Sequence, residues 1–287
     1  MTQDTADKKL LFISGFAWLF DAMDVGLLSY IIAALSVQWH LSEVQIGWIG
    51  SMSSIGMAIG AFIFGILADR IGRKIVLIIT LLLFSITTGL SALSTTYAIF
   101  LGLRFFVGAG LGGELPVAST LVSENTPISK RGRYVVLLES FWAGGWIVSS
   151  LLAYFIIPNF GWRIALLISA FTALYALYLR KSLPESASYQ THVHTKTSIV
   201  ASIKQLWTRP YISSTFMLWV IWFMIVFSYY GMFLWLPSVM MMKGFSLVNR
   251  FGYTLIMTLA QLPGYFIAAW LVEKWGRKSV LMLFLLG

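Results

Sequence analysis

Long apolar stretches, separated by short polar segments, recur along most of the chain. Each is close to the length of about 20 residues that a helix needs to cross the hydrocarbon core of a bilayer. The pattern predicts eight membrane-spanning helices and the beginning of a ninth. Their predicted limits are 10–37, 46–68, 75–94, 98–122, 134–157, 162–179, 211–240, 248–272 and 279–287.

The connections between these stretches divide the chain into two blocks. The first six stretches are joined by short connections, whereas residues 182–210 form a longer and mainly polar segment. Two helical blocks joined by such a segment are typical of two-halved transporters. We therefore predict an N-terminal six-helix bundle (1–181), a cytoplasmic loop (182–210) and an incomplete C-terminal bundle (211–287).

The composition requires a lipid environment. Hydrophobic residues make up 59% of the 287 residues and charged residues only 11%, and a water-soluble fold of this length could not bury so much apolar surface. An all-α membrane protein is therefore predicted. The first apolar stretch is longer than the core of a signal peptide, so we expect it to remain attached. The chain has no cysteine, which excludes disulfides, thiolate metal sites and a cysteine nucleophile.

The net charge of +9 follows the predicted topology. If the helices alternate in direction, most of the 20 basic residues fall on one side of the membrane, whereas Arg163, Lys243 and Arg250 fall on the other and Arg104 lies within a helix. Basic residues concentrate on the cytoplasmic side of membrane proteins. We therefore expect a cytoplasmic N-terminus in a plasma membrane, the inner membrane in a bacterium. A nucleic-acid partner is not needed to explain the charge.

A short motif occurs twice. Residues 65–75 read GILADRIGRKI, and residues 269–279 repeat the pattern with Glu273 in the place of Asp69. Each copy follows the second predicted helix of its block. The first copy resembles the loop motif of the major facilitator superfamily, and residues 104–113, 123–132 and 184–186 resemble further motifs of its sugar porters. The fifth helix lacks the GxxxGPxxGG pattern of drug–proton antiporters, which favours an uptake symporter.

Three segments narrow the resemblance. Residues 20–30 (FDAMDVGLLSY), 137–146 (LLESFWAGGW) and 228–240 (SYYGMFLWLPSVM) resemble the nicotinate-permease and aromatic-acid:proton symporter branches. Ala22 stands where the aromatic-acid branch has glycine, which favours the nicotinate-type group. The resemblance implies a monomeric major facilitator fold. It also implies proton-coupled uptake of a small aromatic carboxylate, such as nicotinate, by alternating access.

The resemblance also assigns a gating role to the repeated motif. In the superfamily, its acid contacts the positive end of a helix in the opposite half. Glu273 is expected to lie near Arg133 and Tyr134, whereas the partner of Asp69 belongs to an eleventh helix beyond the sequence. A truncated, transport-incompetent fragment therefore remains an alternative. The predicted gating residues are Gly65, Asp69, Arg70, Gly72, Arg73, Lys74, Glu273, Gly276, Arg277 and Lys278.

Charged residues inside the predicted membrane spans are candidates for function because an unpaired charge is costly in lipid. Rise per residue places Asp24 about 21 Å from the inner start of its helix and Arg104 about 9 Å from the outer start of its own, which is the same level in a core of about 30 Å. We predict an Asp24–Arg104 pair with Asp24 as proton acceptor, or alternatively a static packing pair. Asp21, three residues before Asp24, is expected to share in proton coupling.

The remaining candidates are predicted to bind substrate. Glu114 lies near the predicted midplane and could bind substrate or carry the proton, and Glu139 could bind substrate or serve packing or gating. Aromatic rings could stack on a flat substrate, although packing against lipid would explain each ring singly. The predicted substrate-binding residues are Arg104, Glu114, Glu139, Trp142, Trp146, Tyr229, Tyr230 and Trp235.

The sequence bears on two other classes of function. A sugar transporter is an alternative, but the spans offer few of the amide side chains that sugars favour. A membrane enzyme is disfavoured because Asp21 and Asp24 share one helix, whereas a catalytic aspartate pair would come from two. No catalytic residue and no cofactor is predicted. His192 and His194 have no evident third partner, so no metal site is predicted.

Overall fold

The computed structural model describes residues 3–182 and 204–286, and all regular structure in these two ranges is helical. The sequence predicts long apolar helices, and this is what forms. In chain order, the helices are α1 (Gln3–Gln38), α2 (Glu43–Ile71), α3 (Arg73–Ala92), α4 (Tyr97–Asn125), α5 (Arg131–Phe155), α6 (Ile157–Phe160), α7 (Trp162–Ala170), α8 (Ala173–Ser182), α9 (Ile212–Phe233), α10 (Leu236–Met242), α11 (Leu247–Trp275) and α12 (Arg277–Leu286).

Several predicted features lie outside the described residues. They are most of the predicted cytoplasmic loop (183–203), the motif at 184–186, and His192 and His194. Within the described residues, seven helices are long and apolar enough to cross a membrane, where the sequence predicted eight. The shortfall arises at the sixth predicted span.

The sixth predicted span, 162–179, is two helices rather than one. Helices α7 and α8 are separated by a turn at Phe171 and Thr172, where backbone hydrogen bonds tighten to the i→i+3 spacing of a 3₁₀ helix. The Thr172 hydroxyl is buried and lies 2.8 Å from the Ser85 hydroxyl on α3. This polar contact from a neighbouring helix accompanies the turn, and apolar periodicity gives no sign of it.

Helix packing defines the N-terminal bundle. Helix α2 packs on α4, α1 on α5, and α3 on α4. The α2–α4 contact depends on glycine, because a Cβ atom on Gly108 would collide with the backbone oxygen of Ser53, and one on Gly60 with that of Ala109. Such close approach of helix backbones is the usual role of small residues spaced four apart in membranes.

The C-terminal helices meet the N-terminal bundle along one main contact, which is between α11 and α5. Tyr229, Tyr230 and Phe233 of α9 also pack against the apolar cluster around the N-terminal half of α1. Trp235, in the turn between α9 and α10, packs instead against the cluster around the C-terminal half of α1. The two blocks therefore meet at two levels along α1.

The two copies of the repeated motif have the same backbone arrangement. Gly72 joins α2 to α3 with φ of 99°, and Gly276 joins α11 to α12 with φ of 79°. Both values lie in a region that non-glycine residues rarely adopt. The spacing that the two copies share therefore reflects a specific helix–glycine–helix connection in each block.

Candidate functional site

A buried ion pair lies within the N-terminal bundle. Arg104 Nη1 on α4 lies 3.4 Å from Asp24 Oδ2 on α1, and both side chains are almost completely buried. The structure therefore brings together the two residues that helix depth placed at one level. Their role in proton coupling stays a prediction.

Hydroxyl groups from two further helices complete the surroundings of this pair. Thr88 on α3 and Ser169 on α7 donate to Asp24 Oδ1 at 2.8 and 3.1 Å. Arg104 Nη2 donates to Ser91 on α3 at 3.2 Å. Sequence reasoning did not identify these three hydroxyls. A signal was available, because Thr88 and Ser91 are three residues apart on α3 and so share a face.

A small cavity of about 10 Å³, the size of one water molecule, lies beside the ion pair and is lined by both blocks. Asp24, Arg104 and Met57 line it from the N-terminal bundle, and Tyr230 and Leu234 line it from the C-terminal block. Arg104 and Tyr230, both predicted to bind substrate, therefore face one cavity.

Asp21 and Glu114 lie together, which the sequence did not predict. Asp21 on α1 is within hydrogen-bonding reach of Glu114 on α4. Both are buried, and within the described residues none of their four carboxyl oxygens has a hydrogen-bond donor as partner. Sequence reasoning grouped Asp21 with Asp24, but the two aspartates have different partners because Asp21 lies about 4.5 Å nearer the start of α1, beside a different part of α4.

Aromatic side chains from both blocks form a cluster. Trp142 Nε1 on α5 donates to the Tyr229 hydroxyl on α9 at 2.9 Å. The Trp142 ring also lies 4.7 Å from that of Trp18 and 6.3 Å from that of Tyr230, centroid to centroid. We call Trp18, Trp142, Trp146, Tyr229, Tyr230 and Phe233 the inter-bundle aromatic cluster. Trp18 and Phe233 were not among the predicted site residues.

Trp146 contributes a buried donor to this cluster. Its ring lies 5.7 Å from that of Phe233 and 6.4 Å from that of Tyr229. The side chain is 1% exposed, and within the described residues its indole Nε1 has no hydrogen-bond partner. A buried donor without an acceptor is unfavourable by about 1–3 kcal/mol. A ligand that accepts a hydrogen bond would relieve that cost.

Glu139 borders the same cluster. Its Oε2 accepts a hydrogen bond from Trp18 Nε1 at 3.3 Å, and it lies within electrostatic range of Tyr229, Tyr230 and Tyr265. Glu139 therefore lies next to the inter-bundle aromatic cluster. Trp235 does not join the cluster, since it lies against Gly50 of α2.

The repeated motif forms ion pairs at the ends of the helices. Arg133 at the start of α5 lies 3.5 Å from Glu273 at the end of α11, which is the contact expected for Glu273. Gly132 lies against the side chain of Arg277. In the first copy, Asp69 is largely exposed and pairs at 2.9 Å with Arg73, which also meets Glu124 of α4 at 3.4 Å. Gly65 lies in α2 and Lys278 in α12.

No group of three or more His, Asp or Glu side chains suited to a metal ion occurs in the described parts of the chain. The buried acids instead occur singly or in pairs, beside an arginine, another acid or an aromatic cluster. Membrane-spanning helices, buried intramembrane charges and a cavity between two blocks define a multi-pass membrane transport protein.

The chain belongs to the Major Facilitator Superfamily, whose family model matches residues 14–287. This family consists of transporters, not enzymes. The chain is 62% identical over 285 residues to a proposed niacin/nicotinamide transporter, NiaP, of Bacillus subtilis, covering 99% of this chain and 71% of that protein. It is 46% identical over 300 residues to the niacin transporter NiaP of Acinetobacter baylyi, covering 95% and 68%.

Solved structures of sugar symporters share the fold. A D-xylose–proton symporter aligns with a TM-score of 0.73 at 22% identity, covering 93% of this chain and 69% of that one. The xylose transporter XylE of E. coli, in a partially occluded inward-open conformation, aligns at 0.75 with 19% identity, covering 96% and 73%. Identities this low establish the common architecture and nothing about the substrate.

Proposed function

We propose that this protein takes up niacin, as nicotinate, together with protons, by alternating access of its two helical blocks. The inter-bundle aromatic cluster is the observation that carries the proposal. Trp142 and Tyr229 come from different blocks, so a flat aromatic ring stacked against the cluster would lose part of its contacts when the blocks separate. The names of the two NiaP relatives support niacin as the substrate.

The polar groups around the cluster suit a pyridine carboxylate. Trp146 Nε1 offers a buried donor without a partner, and Arg104 lines the cavity beside Tyr230. A substrate carboxylate could accept from either group. Glu139 lies beside Trp18 at the edge of the cluster, where a protonated carboxyl group could donate to the ring nitrogen of nicotinate.

Competition for uptake tests the substrate. Cells producing the protein should accumulate radiolabelled nicotinate saturably, with strong competition from unlabelled nicotinate, weaker competition from benzoate, which lacks the ring nitrogen, and none from glucose. Trp146→Phe keeps an aromatic ring but removes the donor, and it should raise KM. Saturable uptake that glucose blocks and benzoate does not would contradict the proposal.

We also propose that the protein is a monomer of the plasma membrane, the bacterial inner membrane, with its N-terminus in the cytoplasm. The distribution of basic residues supports this orientation. The chain has no cysteine, so single cysteines report topology cleanly. Exposed Thr95, between α3 and α4, and exposed Ser129, between α4 and α5, would face opposite sides.

A membrane-impermeant thiol reagent should label Thr95→Cys in intact cells and Ser129→Cys only after permeabilisation. The reverse labelling would invert the proposed orientation. Each variant is the matched control for the other, because both replace a small hydroxyl side chain at an exposed position between helices.

A further inference from the structure

Two buried carboxyl groups lie close together, without a positive partner among the described residues. Asp21 and Glu114 are within hydrogen-bonding reach of one another. The other charged group that acts on Asp21 is Asp24, also an acid. Asp24 is already paired with Arg104 and bonded to two hydroxyl groups. Within the described residues, nothing balances two negative charges on Asp21 and Glu114.

Elementary chemistry then requires a bound proton. Two ionised carboxylates have no hydrogen to share, so they cannot hydrogen-bond to each other. Side by side in the interior of a membrane protein they would also repel, without water to screen them. A single proton shared between the two carboxyls removes both difficulties, as it does when two carboxyls share a site in soluble enzymes.

We propose that Asp21 and Glu114 form one proton-binding site and that this site, rather than Asp24, carries the proton that moves with the substrate. The coupling role of the site rests on the proposed proton-coupled transport, whereas the proton-binding site itself does not. Transport changes one O–H bond at the site: a proton binds a carboxylate oxygen when the site faces one side and leaves when it faces the other. Asp24 and Arg104 then serve as a fixed ion pair, in keeping with their complete burial and their three hydroxyl partners.

The position of the pair suits exchange of a proton with water. Tyr230 of α9 lies within electrostatic range of Asp21 and also lines the cavity between the two blocks. Tyr175 of α8 lies near Glu114. Together with Asp24, these are the titratable groups near the pair in the described part of the chain, while Glu139 on α5 is held by Trp18. Movement of α9 away from α1 would take Tyr230 from the pair and admit water.

Infrared spectroscopy tests the bound proton without any substrate. At neutral pH the purified protein should show the C=O stretch of a protonated carboxyl group, and its intensity should fall in the double variant Asp21→Asn/Glu114→Gln, which leaves neither carboxyl to hold the proton. Each single variant keeps one carboxyl and should shift the frequency of the band. The band should persist in Asp24→Asn. Exposed Glu43, at the start of α2, supplies the matched control Glu43→Gln, which should leave the band unchanged. A band of full intensity and unchanged frequency in the double variant would overturn the inference.

Transport in proteoliposomes tests the coupling. Glu114→Gln and Asp21→Asn should still exchange labelled for unlabelled nicotinate, but a pH gradient should no longer drive accumulation above equilibrium. Glu114→Asp should restore part of that accumulation. Accumulation of wild-type size in the two neutral variants would refute the coupling role, and loss of exchange in folded variants would assign the pair to substrate binding instead. Failure of the wild-type protein to exchange nicotinate would refute the proposed substrate. It would not affect the infrared result, because that measurement uses no substrate.

Discussion

The indole nitrogen of Trp142 lies 2.9 Å from the hydroxyl oxygen of Tyr229, and this hydrogen bond joins α5 of the first block to α9 of the second. A net contribution of about 0.5–1.5 kcal/mol is usual for such a bond. A tenfold change in affinity corresponds to about 1.4 kcal/mol. Loss of a hydrogen bond of this strength at the substrate site would therefore raise KM by a measurable factor.

Removal of either hydrogen-bonding group, with the ring retained, is expected to weaken uptake. Tyr229→Phe and Trp142→Phe should each raise KM for nicotinate about two- to tenfold. Trp219→Phe is the matched control, because Trp219 is on α9 but 61% exposed. Unchanged KM in both cluster variants would show that the inter-bundle aromatic cluster does not contact the substrate.

The Asp24–Arg104 pair predicts a large effect on folding. Loss of one partner from a buried ion pair typically costs about 3–5 kcal/mol, because the other charge is left unpaired. Asp24→Asn and Arg104→Gln should each lower Tm strongly, and the double variant should lower it by less than the sum of the two. Thermal unfolding of the purified protein measures all three. Additive losses would mean that the two side chains act independently.

Close packing of α2 on α4 predicts opposite outcomes for two glycines of the same helix. Gly108→Ala places a methyl group against the Ser53 backbone, whereas nothing lies within 4 Å of the position that a Cβ on Gly102 would occupy. The first should destabilise the protein by about 1–3 kcal/mol, and Gly102→Ala should be neutral or slightly stabilising. Equal Tm values for the two variants would contradict the α2–α4 arrangement.

The Arg133–Glu273 contact predicts a reciprocal effect on gating. The pair is partly exposed, so its contribution to stability is expected to be small, about 0–1 kcal/mol. Its effect on the balance between conformations should be visible instead. Arg133→Glu and Glu273→Arg should each lower the uptake rate, and the double exchange should recover it. A double variant as slow as the worse single variant would argue against a latch at this contact.

Much of the architecture could be predicted because lipid imposes one strong rule: the backbone must satisfy its own hydrogen bonds, so long apolar runs become helices. Helix depth then sufficed to bring Asp24 and Arg104 to one level. The turn at Phe171 and Thr172 could not be predicted, since it is associated with a hydroxyl contact from Ser85 on another helix.

The site was harder to predict than the fold, because rotation about a helix axis decides which residues meet. Asp21 and Asp24 are close along α1, yet one faces Glu114 and the other Arg104. Trp235 is near Tyr229 in sequence, but the turn after α9 carries it to Gly50. The apolar periodicity predicts where a helix forms. The rotation of that helix about its axis is fixed only by packing against neighbouring helices.

Coupled uptake of nicotinate in proteoliposomes tests the central proposal most directly. Vesicles with a more acidic exterior should accumulate labelled nicotinate above the external concentration through this protein, in excess of the accumulation in protein-free vesicles, and a protonophore should abolish that excess. Accumulation through the protein that is equal with and without the gradient, or that equals the protein-free control, would contradict the proposal.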